Sequence, residues 1–312
     1  MRTQGATRLL LSEEAARRAA RHGGGTPNLQ ELAMTSTEPL HVVTGAGGAI
    51  GFECARRIGH RGPLLLVDRD PERLAAATAR LTLDGFVVER QAARDLSRPG
   101  EALALAGMLG DRPLGALVHA AGVGASAAGG RTVFDGNLLT ADALLRAFLP
   151  SAREGSVAVC VTSVAAQTPV GERVARLLDD LDHPALFDAL LSATDGEVVH
   201  PHVAYALAQR GIVRLCRRAS ALWGEAGARV VSVSAGLLDT ADTRARLNDD
   251  ARLRAVADGA PLRRLGSPRE VAATVDWLVS PQASYVTGTD VVVDGGATAA
   301  AEEAALSGRA AA

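Results

Sequence analysis

The 312-residue sequence predicts a single doubly wound α/β domain, a parallel sheet of about seven strands with helices on both faces. Three observations predict it: short apolar runs recur from residue 40 onward, amphipathic helical patterns fill the gaps between them, and the first run ends in a glycine-rich turn. Strands of a parallel sheet are covered on both faces and so read as continuous apolar runs, and each parallel connection needs a crossover helix. The runs place strands at 40–44, 64–68, 86–89, 116–119, 157–162, 230–234 and 290–293.

Outside this alternating region the text changes. Residues 1–38 read as a mobile tail, in which Ser12-Glu13-Glu14 caps a short Arg- and Ala-rich helix that ends at Gly23-Gly24-Gly25. The folded domain is expected at 39–298, with a helical insertion at about 167–201 and an Ala-rich tail of uncertain order at 299–312. Met34, just before the first strand, is an alternative translation start. The triplet Leu9-Leu10-Leu11 is too short for a signal core, and Arg17-Arg18 is followed by no apolar run. No stretch approaches the ~18 apolar residues of a membrane span.

Composition excludes further classes. At 47% hydrophobic residues the chain has ample core material, and a net charge of -2 creates no global basic field for nucleic acid or an anionic membrane surface. Cys54, Cys160 and Cys216 are widely spaced and odd in number, which fits reduced thiols in a cytoplasmic protein and neither a disulfide framework nor a zinc site. All 33 basic residues are arginine. A missing lysine at any one position is therefore also a property of the whole chain.

The turn Thr44-Gly45-Ala46-Gly47-Gly48-Ala49-Ile50-Gly51 follows the first strand and opens a helix, the context a dinucleotide site requires in a Rossmann-type sheet. Glycines let the backbone approach a pyrophosphate, and the helix N-terminus offers unpaired N–H groups and positive potential. Asp68 ends the second strand, 23 residues after Gly45, where a carboxylate accepts hydrogen bonds from adenosine ribose hydroxyls. Its charge repels a 2′-phosphate and favours NAD over NADP; Arg69 is the contrary sign. The simpler role for Asp68 is a helix cap before Pro71.

These residues resemble the short-chain dehydrogenase/reductase family. Its glycine motif matches Gly45, Gly51 and one of Gly47 or Gly48, and its adenine-side pair matches Asp95-Leu96. The Ala-Gly half of its post-strand motif matches Ala121-Gly122, after His119-Ala120 where the family has asparagines. Near the C-terminus, Tyr285-Val286-Thr287-Gly288 and Asp290 through Gly296 look like the family's final strand, so the resemblance runs from about residue 40 to 296. It implies that Asn137 orders a water in the proton relay, that Ser163 hydrogen-bonds the substrate oxygen and that Tyr205 is the acid/base group. Taken singly, Asn137 reads as a helix cap, Ser163 as a strand-end turn residue and Tyr205 as a packed tyrosine. It further implies that Gly236 and Thr240, past the sixth strand, lie at the nicotinamide; the family's proline there is replaced by Ala235.

Tyr205 reads as lying in the first turn of a helix, with Gln209 one turn farther on the same face and Arg210 roughly 140° away. The family motif has lysine where this chain has Gln209. That lysine holds the nicotinamide ribose, which an amide partly imitates, and its charge lowers the tyrosine pKa from ~10, which an amide does not. A unit charge about 5 Å away at an effective dielectric of ~20 is worth roughly 3 kcal/mol, or about 2 pKa units. Bound oxidised nicotinamide, itself cationic, would restore part of that field.

Ser163 and Tyr205 stand 42 residues apart, far more than is usual in the family. The extra segment resembles the insertion of the bacterial 3α-hydroxysteroid dehydrogenase/carbonyl reductase branch, as do the stretches around Trp223 and 278–286. It carries amphipathic patterns at 174–178 and 186–191, and it either covers an apolar substrate, alters subunit contacts or is a surface excursion. His200 and His202 read as loop residues in preference to metal ligands. Residues 242–261 read as mobile helices over the substrate, or else as a short polar cover. The expectation is an NAD-dependent enzyme interconverting a secondary alcohol and a ketone, an apolar cyclic or steroid-like substrate being implied by resemblance alone. The resemblance also implies a homodimer or homotetramer. Two rivals stand beside it: a silent dinucleotide-binding protein, motivated by Gln209 and Ala235, and a non-redox isomerase or dehydratase using Tyr205.

Overall fold

In chain order the elements of the computed structural model are β1 (Leu40–Thr44), α1 (Ala49–Ile58), β2 (Leu64–Asp68), α2 (Pro71–Leu83), β3 (Val88–Ala93), α3 (Glu101–Gly107), β4 (Leu114–His119), α4 (Gly130–Phe134), α5 (Thr140–Phe148) and β5 (Val157–Ser163). There follow α6 (Glu172–Asp179), α7 (Leu186–Ala193), α8 (Pro201–Glu225), β6 (Arg229–Ala235), α9 (Ala241–Asp249), α10 (Ala251–Gly259), α11 (Pro268–Val279), β7 (Asp290–Val293) and α12 (Ala297–Leu306). The structure describes residues 38–307 apart from Ala127, and of Asp249 and Arg252 the backbone only. The expected N-terminal tail and residues 308–312 lie outside the described residues.

The seven strands are parallel, in the order β3-β2-β1-β4-β5-β6-β7. This is the doubly wound, Rossmann-like sheet that the apolar runs predict. Successive strand residues point to opposite faces. Val42, Val67, Leu117 and Cys160 therefore pack under α3, α5 and α8, while Val43, Leu66, Val118 and Val159 pack under α1, α2 and α11. The winding direction reverses between β1 and β4, whose C-terminal residues Thr44 and His119 are register partners. Open α/β sheets bind ligands in the crevice at such a reversal.

Strands β1, β2 and β7 have the expected bounds, and β4, β5 and β6 extend theirs by one or two residues. The expected strand at 86–89 instead runs from Val88 to Ala93. It is one of the two edge strands and is half-exposed along its length, so burial does not impose apolar residues on it; Phe86, which drew the expectation, packs against Gly59. The Ala-rich stretch expected as a tail begins as α12, which follows the left-handed Gly295 and Gly296 and crosses the expected domain boundary at 298. Alanine has the highest helix propensity, and none of the α12 side chains is fully buried.

The insertion is not a surface excursion. Val174 and Leu178 of α6 and Leu186, Phe187 and Leu190 of α7 are buried in the core on the α5/α8 side. Phe187 meets Phe134 edge-on at 5.9 Å, and Arg131 stacks 4.3 Å over the Phe187 ring while pairing with Asp188 at 2.6 Å. Asp179 accepts hydrogen bonds from Arg214 at 2.9 Å and from Arg218, which fastens α6 along α8.

Candidate active site

The glycine turn is shaped by contacts that exclude side chains. Gly45 has φ +69°, and a Cβ there would lie 2.7 Å from the Ala120 carbonyl carbon and the Ala121 nitrogen. The loops after β1 and β4 thus touch backbone to backbone. A Cβ on Gly51 would fall 2.1 Å from the Gly45 oxygen, whereas one on Gly48 would lie 3.2 Å from that atom. The N-terminus of α1, at Ala49 and Ile50, has no side-chain cap and no acid in its first turn. Its first N–H groups therefore lack the side-chain acceptor that such termini ordinarily use. By contrast, α2 is capped by Asp70, which accepts from the N–H groups of Glu72 and Arg73. Asp70, not Asp68, is the cap before Pro71.

Asp68 turns toward the glycine loop: one carboxylate oxygen accepts from the Gly47 N–H at 2.9 Å and the other from the Asp70 N–H at 3.0 Å. Arg69 is exposed, and the Arg73 stem lies against Gly47, where a Cβ would meet it at 2.7 Å. Asp95 accepts from the Ser97 hydroxyl at 2.6 Å, a bond that with the nearby Arg98 holds its carboxyl below the usual range, while Leu96 is buried beside it.

Beyond β4, Asn137 sits in a π-helical turn, Asp135–Leu139, between α4 and α5. Its amide grips the backbone of Val123, accepting from the N–H at 3.1 Å and donating to the carbonyl at 2.9 Å, with a further bond to the Val133 carbonyl at 2.7 Å. The reading of Asn137 as a helix cap is thereby corrected, because it lies mid-helix with its side chain committed to the loop carrying Ala121 and Gly122. A Cβ on Gly122 would sit 2.7 Å from the Asn137 Oδ1.

Ser163 is the last residue of β5 and caps the 3-10 turn Val164–Gln167, accepting from the Ala165 N–H at 3.2 Å. That turn is held twice. Gln167 donates to Asp290 at 2.8 Å, and Asp290 also accepts from Ser234, whose hydroxyl meets Thr162 at 2.9 Å. Arg210 of α8 donates to the Ala166 carbonyl at 3.0 Å. The second tie fixes α8 relative to Ser163 and brings the Tyr205 side chain close to the Ser163 hydroxyl. Burial pushes the Tyr205 phenol above its ordinary range, against which the neighbouring Ser163 hydroxyl and, less, the positive charge of Arg246 act.

Tyr205 lies in the second turn of α8, not the first, since the helix begins at Pro201; His202 is in its first turn instead of a loop, and His200 is its N-cap. Among the described residues no three His, Cys, Asp or Glu side chains form a metal-holding group. Gln209 is 4% exposed, and its Oε1 is buried without a hydrogen-bond partner. An unpaired buried acceptor costs about 1–3 kcal/mol, which a donor hydroxyl from a ligand would relieve. A Cβ on Gly236 would lie 2.7 Å from the Asp294 Cα and Cβ, so packing against the end of β7 explains the glycine. Thr240 caps α9, accepting from the Thr243 N–H at 3.2 Å.

Two residues received no role from the sequence, although one of them, His119, stands at a motif position. His119, 2% exposed, is hydrogen-bonded to Thr44 at 2.8 Å across the β1/β4 switch point, and burial lowers its pKa to about 4. Its signal was a histidine ending an apolar strand. His41, at the other end of β1, is likewise lowered to about 4 by burial. A depressed histidine pKa means that the fold holds the neutral form, so stability is full above about pH 6.5 and declines as pH falls toward 4. Between about pH 7.5 and 5, each histidine should cost roughly 2 kcal/mol of unfolding free energy. Urea titrations at the two pH values check this, and His119→Gln should flatten the dependence. The other overlooked residue is Arg246, which has no motif signal.

Residues 189–298 match the family model described as Enoyl-(Acyl carrier protein) reductase. The chain is 30% identical over 268 residues to galactitol 2-dehydrogenase (L-tagatose-forming) of Cereibacter sphaeroides, covering 82% of this chain and 93% of that one. It is 31% identical over 190 residues to 3-alpha-hydroxysteroid dehydrogenase/carbonyl reductase of Comamonas testosteroni, covering 58% of this chain and 71% of that one. Among solved structures it is similar to the 3-alpha-hydroxysteroid dehydrogenase from Pseudomonas sp. B-0831 complexed with NADH, with a TM-score of 0.66 and 26% identity over 87% of this chain and 99% of that chain.

Proposed function

Since the chain belongs to the short-chain dehydrogenase/reductase family, we propose that it interconverts a secondary alcohol and a ketone with NAD(H), on an apolar cyclic or steroid-like substrate. The observation that carries this reading is the pair of hydroxyl side chains, Ser163 and Tyr205, brought close together at the C-terminal end of β5 beside the switch point. The residues fit a nicotinamide dinucleotide: the uncapped start of α1 suits a pyrophosphate, and the orphaned Gln209 Oε1 suits a ribose hydroxyl. When bound, that group supplies or accepts the hydride. Asp68 would take a ribose hydroxyl and disfavour a 2′-phosphate; the guanidinium groups of Arg69 and Arg73 are the features that oppose this preference.

In the reducing direction Tyr205 donates a proton to the substrate oxygen, and the Ser163 hydroxyl holds that oxygen in place. The raised phenol keeps Tyr205 protonated at neutrality, which serves reduction better than oxidation. Both amide protons of Asn137 are committed, to the Val123 and Val133 carbonyls, so a relay water would meet Asn137 only at its acceptor oxygens. Gln209 favours a second reading, a dinucleotide-binding protein without turnover. NADH and NADPH fluorescence titrations, with a panel of cyclic ketones, separate the two. Tighter NADH binding with ketone turnover is expected, and Gln209→Lys should raise alcohol oxidation and lower its kinetic pKa. Binding with no turnover on any ketone would leave only the second reading.

A further inference from the structure

The turn that follows Ser163 is anchored to the edge of the sheet two strands away. A 3-10 turn has poor hydrogen-bond geometry of its own, so a short one depends on ties from outside. Val164–Gln167 is such a turn, and Thr168 and Pro169, which leave it, are exposed. Register sets Thr162 of β5 beside Ser234 of β6, and Ser232 of β6 beside Asp290, the first residue of β7. Ser232 and Ser234 are two residues apart on one strand and share a face. Asp290 collects both of their protons: one carboxylate oxygen accepts from the Ser232 hydroxyl at 2.6 Å, the other from the Ser234 hydroxyl at 2.8 Å. The Gln167 amide, 123 positions away in the chain, donates to that second oxygen at 2.8 Å and lies 3.3 Å from the Ser234 hydroxyl.

The polarity of this network follows from its members. A carboxylate only accepts, and a serine has one proton to give. Ser234, having given its proton to Asp290, therefore accepts from Thr162 across their 2.9 Å contact. Ser232 and Ser234 are fully buried and Thr162 is 5% exposed, so water does not compete for them. Every donor of the network thus points at Asp290, directly or through Ser234. Inside the turn that Gln167 closes, the Ser163 Oγ accepts from the Ala165 N–H at 3.2 Å. An N–H cannot accept in return, so the Ser163 proton stays available to a substrate oxygen. A turn that shifted would carry the Ala165 N–H with it and change the aim of that hydroxyl.

We propose that Asp290 and Gln167 are positioning residues that aim the Ser163 hydroxyl by strapping the turn after β5 to β7. The proposal rests on the reading of Ser163 as the group that holds the substrate oxygen. Gln167→Met keeps the side-chain length and removes the donor, while Asp290 retains both serines. Amide hydrogen exchange of the full chain reads the strap without turnover: the Ala165 and Thr168 amides should exchange about tenfold faster in Gln167→Met, and those of β1 at their original rate. On the best ketone kcat should fall by about 10- to 100-fold with KM nearly unchanged, as when a group that acts in the transition state is misplaced. In a Ser163→Ala background the same change should cost nothing more, because its effect passes through the serine. Gln167→Glu sets carboxylate against carboxylate and should be worse than Gln167→Met; adding Asp290→Asn restores a donor–acceptor pair and should return most of the lost kcat. Gln167→Asn, whose amide stops short of Asp290, carries the comparison if the methionine variant fails to fold.

Exchange at Ala165 and Thr168 that is indifferent to Gln167→Met overturns the proposal. So does a loss of kcat as large without the Ser163 hydroxyl as with it, since the strap would then act by another route. Faster exchange confined to the turn, in a protein that turns over no ketone, would instead count against the proposed activity and support the strap itself.

Discussion

Tyr205→Phe is expected to lower ketone turnover by about 10²- to 10⁴-fold, the range for removing a positioned proton donor. The change deletes one hydroxyl and keeps the ring, which packs against the core that α8 shares with the insertion. Ser163 retains its bond from the Ala165 N–H, so the strand-end turn stays formed. Dinucleotide affinity and thermal stability should therefore remain close to those of the unaltered protein. Steady-state kinetics on the best ketone, with an NADH titration and a melting curve, make the comparison. Turnover that survives in the phenylalanine variant would remove Tyr205 from the chemistry.

Gly51→Ala should weaken dinucleotide binding by about tenfold or more and destabilise the fold by about 1–3 kcal/mol, the usual cost of overpacking. The added methyl would lie 2.1 Å from the Gly45 oxygen and 2.6 Å from its carbonyl carbon, so the turn itself has to move. Gly45 cannot yield freely, because it is wedged against the Ala120 and Ala121 backbone. The displacement would pass to the loop after β4, on the other side of the switch point. Gly48→Ala, with its nearest contact at 3.2 Å, is the milder control. NADH fluorescence and urea unfolding measure both variants, and equal affinities for Gly51→Ala and the unaltered protein would show that the turn does not hold the pyrophosphate.

Much of this site was readable before folding because its parts obey local rules. The turn from Gly45 to Gly51 needs glycine for backbone approach, and Asp68 sits at a strand end the apolar run already marks. Ser163 is likewise the last residue of its strand. Where several side chains compete for one backbone group, the text was mute. Asp70 displaced Asp68 as the cap of α2, and Asn137 proved to be a clamp on Val123 inside a π turn. Strand β3 slid from 86–89 to Val88–Ala93 because its half-exposed residues, Val88-Glu89-Arg90-Gln91-Ala92-Ala93, carry no apolar run to locate it, unlike β7 at the other edge.

The chain by itself determined the parallel sheet, the place of the glycine turn and the order Asn137, Ser163, Tyr205, since burial on both faces and turn chemistry are written in neighbouring residues. Only the tertiary structure decided what holds the two hydroxyls. The Arg210 tie to Ala166 joins residues 44 positions apart, and the Gln167 tie to Asp290 joins residues 123 positions apart. Such pairings depend on which strand ends lie side by side, and sheet order is set by packing of the whole chain, beyond any local motif.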